Sequence, residues 1–132
     1  MARKKVTRHQ TTRDRMAADR QFCPVAEAAR LLGDKWTLIV LRDLADGPRR
    51  FKDLEQSGEG VSPSVLASRL RDLEEQGLIT RTSYNEIPPR VEYNLTPKGC
   101  AALDVVAALR AFGERWLTPT STSPEPHDRP SR

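Results

Sequence analysis

Between residues 24 and 116 the apolar positions recur first at helical spacing, then at strand spacing, then at helical spacing again. Val25, Ala28, Ala29 and Leu32 follow Pro24, a residue suited to a first helical turn, and predict a helix over PVAEAARLL that stops at Gly33. Asp34 is a good N-cap for KWTLIVLRDLAD, in which Trp36, Leu38, Ile39, Val40, Leu41 and Leu44 surround most of the helix. That distribution predicts the buried centre of the core, ended by Gly47-Pro48. A short third element, RFKDLEQ, turns Phe51 and Leu54 inward, and the glycine-bearing SGEGV leads to Ser62-Pro63, a cap followed by a first-turn proline. The fourth helix, PSVLASRLRDLEEQ, gathers Leu66, Leu70 and Leu73 in one stripe, and Gly77 stops it where a left-handed C-cap is favoured.

The period then changes. LITRTSY and RVEYNLT read as strands, with Val91, Tyr93 and Leu95 alternating against Glu92 and Asn94, and NEIPP between them predicts a proline-stiffened hairpin tip. Arg90 stands at that tip and Arg81 on the first strand. Thr96-Pro97 repeats the cap-plus-proline signal and starts a last helix over PKGCAALDVVAALRAFGERW. Its Leu103, Val105, Val106, Leu109, Phe112 and Trp116 cover more than one stripe, too much for one buried face. Such a helix either hides the remainder against another chain or serves as a monomer's core helix. The first of these makes Val25, Leu103, Val106, Leu109, Phe112 and Trp116 a dimer interface. Cys100, beside Gly99, is expected in the core.

On the fourth helix, the positions opposite the leucine stripe are Ser64, Ser68, Arg71 and Glu75, with Arg69 on the flank. Its acids, Asp72, Glu74 and Glu75, all fall late, against the preference of a helix dipole for carboxylates at its start. The helix is therefore either an ordinary amphipathic surface helix or one whose positive end is left free for an external anion such as a phosphate.

Composition adds bounds. The chain has 132 residues and 37% hydrophobic content, enough for one compact domain with tails and too short for two. Its net charge of +4 is unevenly placed: residues 1–21 hold seven Lys+Arg against two Asp+Glu, while residues 22–118 hold 13 against 14. The leading arm is either a solvated disordered tail or a segment drawn to a polyanion, and proline-rich residues 118–132 are too polar to fold. With no apolar run of membrane-spanning length and no secretory leader, the expected location is the cytoplasm, nucleoid-associated if DNA is the partner. Two cysteines, with histidines only at positions 9 and 127, assemble neither a disulfide framework nor a zinc site, so no metal and no cofactor are expected. A Ser/His/Asp set and a phosphate-cradling glycine loop are likewise missing, which argues against an enzyme.

Three helices followed by a two-stranded hairpin is the order of a winged helix-turn-helix, here with one more helix before and one after. The expected fold is mainly α with a small β-hairpin, the domain spanning residues 22–117 with N- and C-terminal dimerisation helices. The segments CPVAEAARLLGDKWTLIVLRDLADGPRRFKDLEQ, GVSPSVLASRLRDLEEQGLI and IPPRVEYNLTPKG, in that order and spacing, resemble the HxlR-type family of bacterial transcriptional regulators. Family members often carry two glycines where this chain has Gly33-Asp34, a departure that touches the cap of the second helix.

The resemblance implies a homodimeric regulator of double-stranded DNA, a repressor by expectation, with no membrane partner. Its recognition helix would be Ser62 to Gln76, with Ser62 at the start, Ser64, Ser68 and Arg69 as DNA contacts, and Arg90 as the wing residue reaching the minor groove. Helical geometry adds Arg71, and Arg49, Arg50 and Lys52 stand where helix-turn-helix proteins cross the phosphate backbone. Cys23, just before Pro24 at a helix start, sits where dipole and free N–H groups stabilise a thiolate. Some HxlR-type regulators sense oxidants or electrophiles through a cysteine near this position, so Cys23 is either such a sensor, with an oxidant or small molecule as effector, or a small apolar residue at the dimer contact. Against the DNA reading stands a winged helix that binds proteins instead, which would show no salt-dependent affinity for duplex DNA.

Overall fold

A computed structural model describes residues 22–57 and 59–119. The basic arm (1–21), the two histidines and residues 120–132 of the expected tail lie outside the described residues. The elements run α1 (Pro24–Leu32), α2 (Lys35–Leu44), α3 (Phe51–Ser57), α4 (Pro63–Glu75), β1 (Ile79–Tyr84), β2 (Arg90–Leu95) and α5 (Pro97–Trp116). Each expected element is present. Helix α2 ends at Leu44, earlier than the expected Asp46, because Ala45 and Gly47 donate backbone N–H groups to the Arg42 and Leu44 carbonyls in a tightened last turn.

Caps fix the boundaries. The side chains of Asp34, Ser62 and Thr96 accept backbone N–H bonds from Thr37, Val65 and Gly99 at 3.0, 3.2 and 3.0 Å. At the far end of α4, Gly77 (φ +78°) lets Leu78 N–H reach the Leu73 carbonyl and Gly77 N–H the Glu74 carbonyl, a Schellman closure with Leu73 and Leu78 both buried. β1 and β2 then pair antiparallel, with Ile79 opposite Leu95 and Tyr84 opposite Arg90. On the other edge of β2, Arg49 and Tyr93 exchange both backbone hydrogen bonds (3.0 and 2.8 Å), so the segment before α3 is pinned to the wing.

The core lies between α2, α3 and α4, where Leu41, Leu44, Leu54, Leu66, Leu70 and Leu73 are fully buried, and Leu78, Ile79 and Tyr93 join the hairpin to it. Helix α2 is its centre, as its apolar girth predicts: Leu41 retains no exposed surface. Helix α5 meets this body along Gly99, Ala102, Leu103 and Val106. One expectation needs correction here and another is narrowed. Leu103 and Val106 are half-buried against the chain's own core, and the large apolar residues that α5 leaves exposed are Val105, Leu109, Phe112 and Trp116, a stripe at helical spacing. Cys100 is exposed, because its neighbour Gly99 is the residue turned onto the Leu78 carbonyl, and the next side chain points some 100° away.

Candidate nucleic-acid interface

Helices α3 and α4, joined by the turn through Val61, form a helix-turn-helix, and the hairpin that follows forms the wing. The Leu66/Leu70/Leu73 stripe anchors α4 and turns its other side outward. Its first turn contains no acid, and there Ser62 and Ser64 are exposed with hydroxyls 3.4 Å apart. Arg71 is exposed as well, and Ser68 is half-buried.

Arg69 is differently placed. Its Nε donates to Oδ2 of Asp34 at 2.9 Å, and Nη1 stands 3.4 Å from Ser68 Oγ and 3.9 Å from Asp72 Oδ2. The same Asp34 oxygen caps α2, so one carboxylate ties the start of α2 to the middle of α4. Partial burial pushes the Asp34 carboxyl up, but the Arg69 hydrogen bond, the Thr37 N–H and the Arg69 charge together hold it below the usual carboxylate range. The Asp34 hydrogen bond in turn raises Arg69.

On the wing, Arg90 opens β2 and is gripped from three sides. Nη2 meets Glu86 Oε2 at 2.8 Å, Nη1 meets Glu92 Oε2 at 2.7 Å, and the guanidinium lies 4.0 Å from the centre of the Tyr84 ring. The Glu86 hydrogen bond, first among these, raises its pKa. Near α3, Arg50 N–H donates to the Asp53 carboxylate, the Arg50 and Lys52 side chains are exposed, and Arg49 is half-buried beside the wing. The structure thus brings the serines of α4, Arg71 and the wing onto one continuous helix-and-hairpin unit, while two of the arginines singled out from sequence are engaged by acids. Glu92 lies two residues beyond Arg90 on the same strand face and was legible as its partner. Asp34, 35 residues from Arg69, carried no local signal beyond its cap.

At the start of α1, Cys23 is exposed and its Sγ accepts the Ala26 N–H at 3.5 Å. Val25, Ala28, Ala29 and Leu32 of α1 face Leu38, Val105 and Leu109 across a 450 Å³ apolar groove. Among the described residues no group of His, Cys, Asp and Glu could hold a metal ion, and no helix is long and apolar enough to cross a membrane.

The HxlR-like helix-turn-helix family model matches residues 31–121. An HTH-type transcriptional regulator of Synechocystis sp. is 44% identical over 96 residues, covering 73% of this chain and 71% of that protein. The redox regulator HypR, solved in its oxidised form, superposes with a TM-score of 0.70 at 31% identity over 74% of this chain and all of its own. The transcriptional regulator YodB from Bacillus subtilis, solved in its reduced form, gives 0.63 at 34% identity, over 76% of this chain and 100% of that one. The helix-turn-helix, the wing and the flanking helices agree with these matches: the chain belongs to the HxlR-like helix-turn-helix family and is a DNA-binding transcriptional regulator.

Proposed function

We propose that this chain is a homodimeric transcriptional repressor that lays α4 in the major groove and its wing in the minor groove. The observation that carries the DNA reading is α4 itself: an anchored helix with an acid-free, serine-lined first turn and its acids held to the far end. Ser62, Ser64, Ser68 and Arg71 are the contacts it offers to base edges and phosphates, with Arg69 held in reserve by Asp34. Arg49, Arg50 and Lys52 position the backbone from the α3 side. The exposed stripe Val105, Leu109, Phe112 and Trp116, with Val25 and the groove against α1, supports pairing with a second copy, because so much contiguous apolar surface on one face is unfavourable in water.

Cys23 gives this regulator an input. Its sulfur is exposed on the helix that lines the same groove, and HypR and YodB, solved in oxidised and reduced forms, support a thiol-sensing role. One titration tests both parts: the full chain against the duplex upstream of its own gene and against a random duplex, at several salt concentrations, before and after diamide. The expected result is tighter binding to the upstream duplex, a steep salt slope, a footprint of two half-sites separated by about one helical turn (~34 Å) or a multiple, and affinity that falls on oxidation in the native chain but not in Cys23→Ser. Weak and equal binding to both duplexes at every salt overturns the regulator reading; equal response of native chain and Cys23→Ser overturns the sensor.

A further inference from the structure

The wing ends in Ile87-Pro88-Pro89, and Ile87 is fully exposed. A lone exposed apolar side chain is ordinary on a protein surface; the setting of this one is not. Two successive pyrrolidine rings restrict the backbone on its C-terminal side. On its N-terminal side Glu86 is fixed twice, by its N–H to the Tyr84 carbonyl at 2.9 Å and by its carboxylate to Arg90 at 2.8 and 3.3 Å. Arg90 closes the frame below, stacked on Tyr84 and bonded to Glu92. Ile87 is thus presented at the end of a stiff hairpin, so little conformational freedom is left for it to lose on docking.

The charges at this end of the wing point the same way. Arg90 faces two carboxylates, Glu86 and Glu92, so the tip brings no uncommitted cation to a phosphate. What it offers is apolar surface. Proteins that work in the minor groove press such residues, isoleucine and proline among them, against or between base steps.

We propose that Ile87, backed by Pro88 and Pro89, is the apolar wedge with which the wing meets the minor groove, and that Arg90 is a positioning residue that holds the wedge in place through Glu86, Glu92 and Tyr84. This rests on the DNA-binding reading and assigns the wing's share of it. The wedge contributes sequence preference through the deformability of the step it meets, favouring pyrimidine–purine steps, with no base-specific hydrogen bond.

The test uses the full chain and a 30-base-pair duplex that the native protein selects from a randomised library, with 2-aminopurine placed successively at each adenine of the outer flanks. Ile87→Ala is expected to weaken binding about five- to tenfold, because less apolar surface leaves water on docking, while the salt slope stays unchanged because no phosphate ligand is removed. Ile87→Leu is expected to keep most of the affinity. Native protein should raise 2-aminopurine fluorescence at one step in each outer flank, and Ile87→Ala should not. Arg90→Ala should weaken binding with the salt slope intact, and adding it to Ile87→Ala should bring little further weakening. Native affinity in Ile87→Ala on the selected duplex overturns the wedge and leaves DNA binding standing. A salt slope reduced by about 0.9 per phosphate ligand in Arg90→Ala, with additive effects in the double variant, overturns the positioning role and makes Arg90 a phosphate ligand. Selection of no duplex by the native protein removes the DNA reading and the wedge together. Because Ile87 is fully exposed, the alanine variant tests docking and not folding.

Discussion

One carboxylate oxygen, Oδ2 of Asp34, accepts both the Thr37 N–H at 3.0 Å and the Arg69 guanidinium at 2.9 Å, and so serves as a cap and as half of an ion pair. Asparagine caps helices about as well as aspartate, so Asp34→Asn removes the pair and spares the cap. With both side chains about a third exposed, the pair is worth about 0.5 kcal/mol, in the range of surface pairs. The Asp34 carboxyl is depressed in the folded chain, so its contribution is complete above the unfolded carboxylate value of about 4 and is lost as pH falls through the lower folded value. Thermal melts of the native chain and Asp34→Asn should differ at pH 7 and converge toward pH 2.5. A gap that persists into acid would show that the pair is not its source. The cap was legible in the sequence, since an acid before an apolar periodic run is a start signal; the pair was not, since it depends on how α2 and α4 cross.

At the scale of elements, the junction between α4, the wing and α5 sets the angle at which the wing stands. Thr96 donates its hydroxyl to the Gly77 carbonyl at 2.6 Å, Thr96 N–H reaches the Leu78 carbonyl at 3.0 Å, and Lys98 Nζ reaches the Gln76 carbonyl at 2.8 Å. The first turn of α5 therefore sits on the end of α4, and a Cβ at Gly99 would collide with the Leu78 carbonyl, a backbone group that cannot swing aside. Gly113, on the same helix, has open space around it. Gly99→Ala is expected to destabilise the fold by about 2 kcal/mol and Gly113→Ala to stabilise it by about 0.5 kcal/mol, read by urea unfolding. Loss of stability in both would mean that helix α5, and not the close approach at Gly99, is the sensitive feature. The element boundaries themselves were legible because caps, prolines and glycines are local: Ser62-Pro63, Gly77 and Thr96-Pro97 stand at the ends the sequence assigned them. The end of α2 was not, because its last turn tightens through backbone bonds that no residue type announces.

For the whole molecule, the question is what covers α5. Leu109 and Phe112 are 48% and 57% exposed on one stripe of α5, and Leu109 lines the groove against α1, so a charge there should leave the monomer folded and disrupt pairing of copies. Leu109→Glu with Phe112→Glu is expected to sediment as a monomer with native circular dichroism, and to bind DNA at least tenfold more weakly, since two linked half-sites outbind one. A dimer that survives both substitutions would place the interface elsewhere.

The sequence by itself determined the order of the elements and their limits save the end of α2, the leucine stripe of α4 and the family, because caps, turn residues and apolar periodicity act within a few positions along the chain. It also narrowed the functional residues to α4, the α3 entry and the wing. Only the tertiary structure decided which arginines are held and which are exposed: Arg69 meets Asp34 across two helices, Arg90 is gripped by Glu86, Glu92 and Tyr84, and Arg71 faces outward. It likewise divided the apolar residues of α5, sending Leu103 and Val106 to the core and leaving Leu109, Phe112 and Trp116 exposed. The reason is geometric: periodicity fixes which residues share a face, whereas the direction that face looks is set by helix packing.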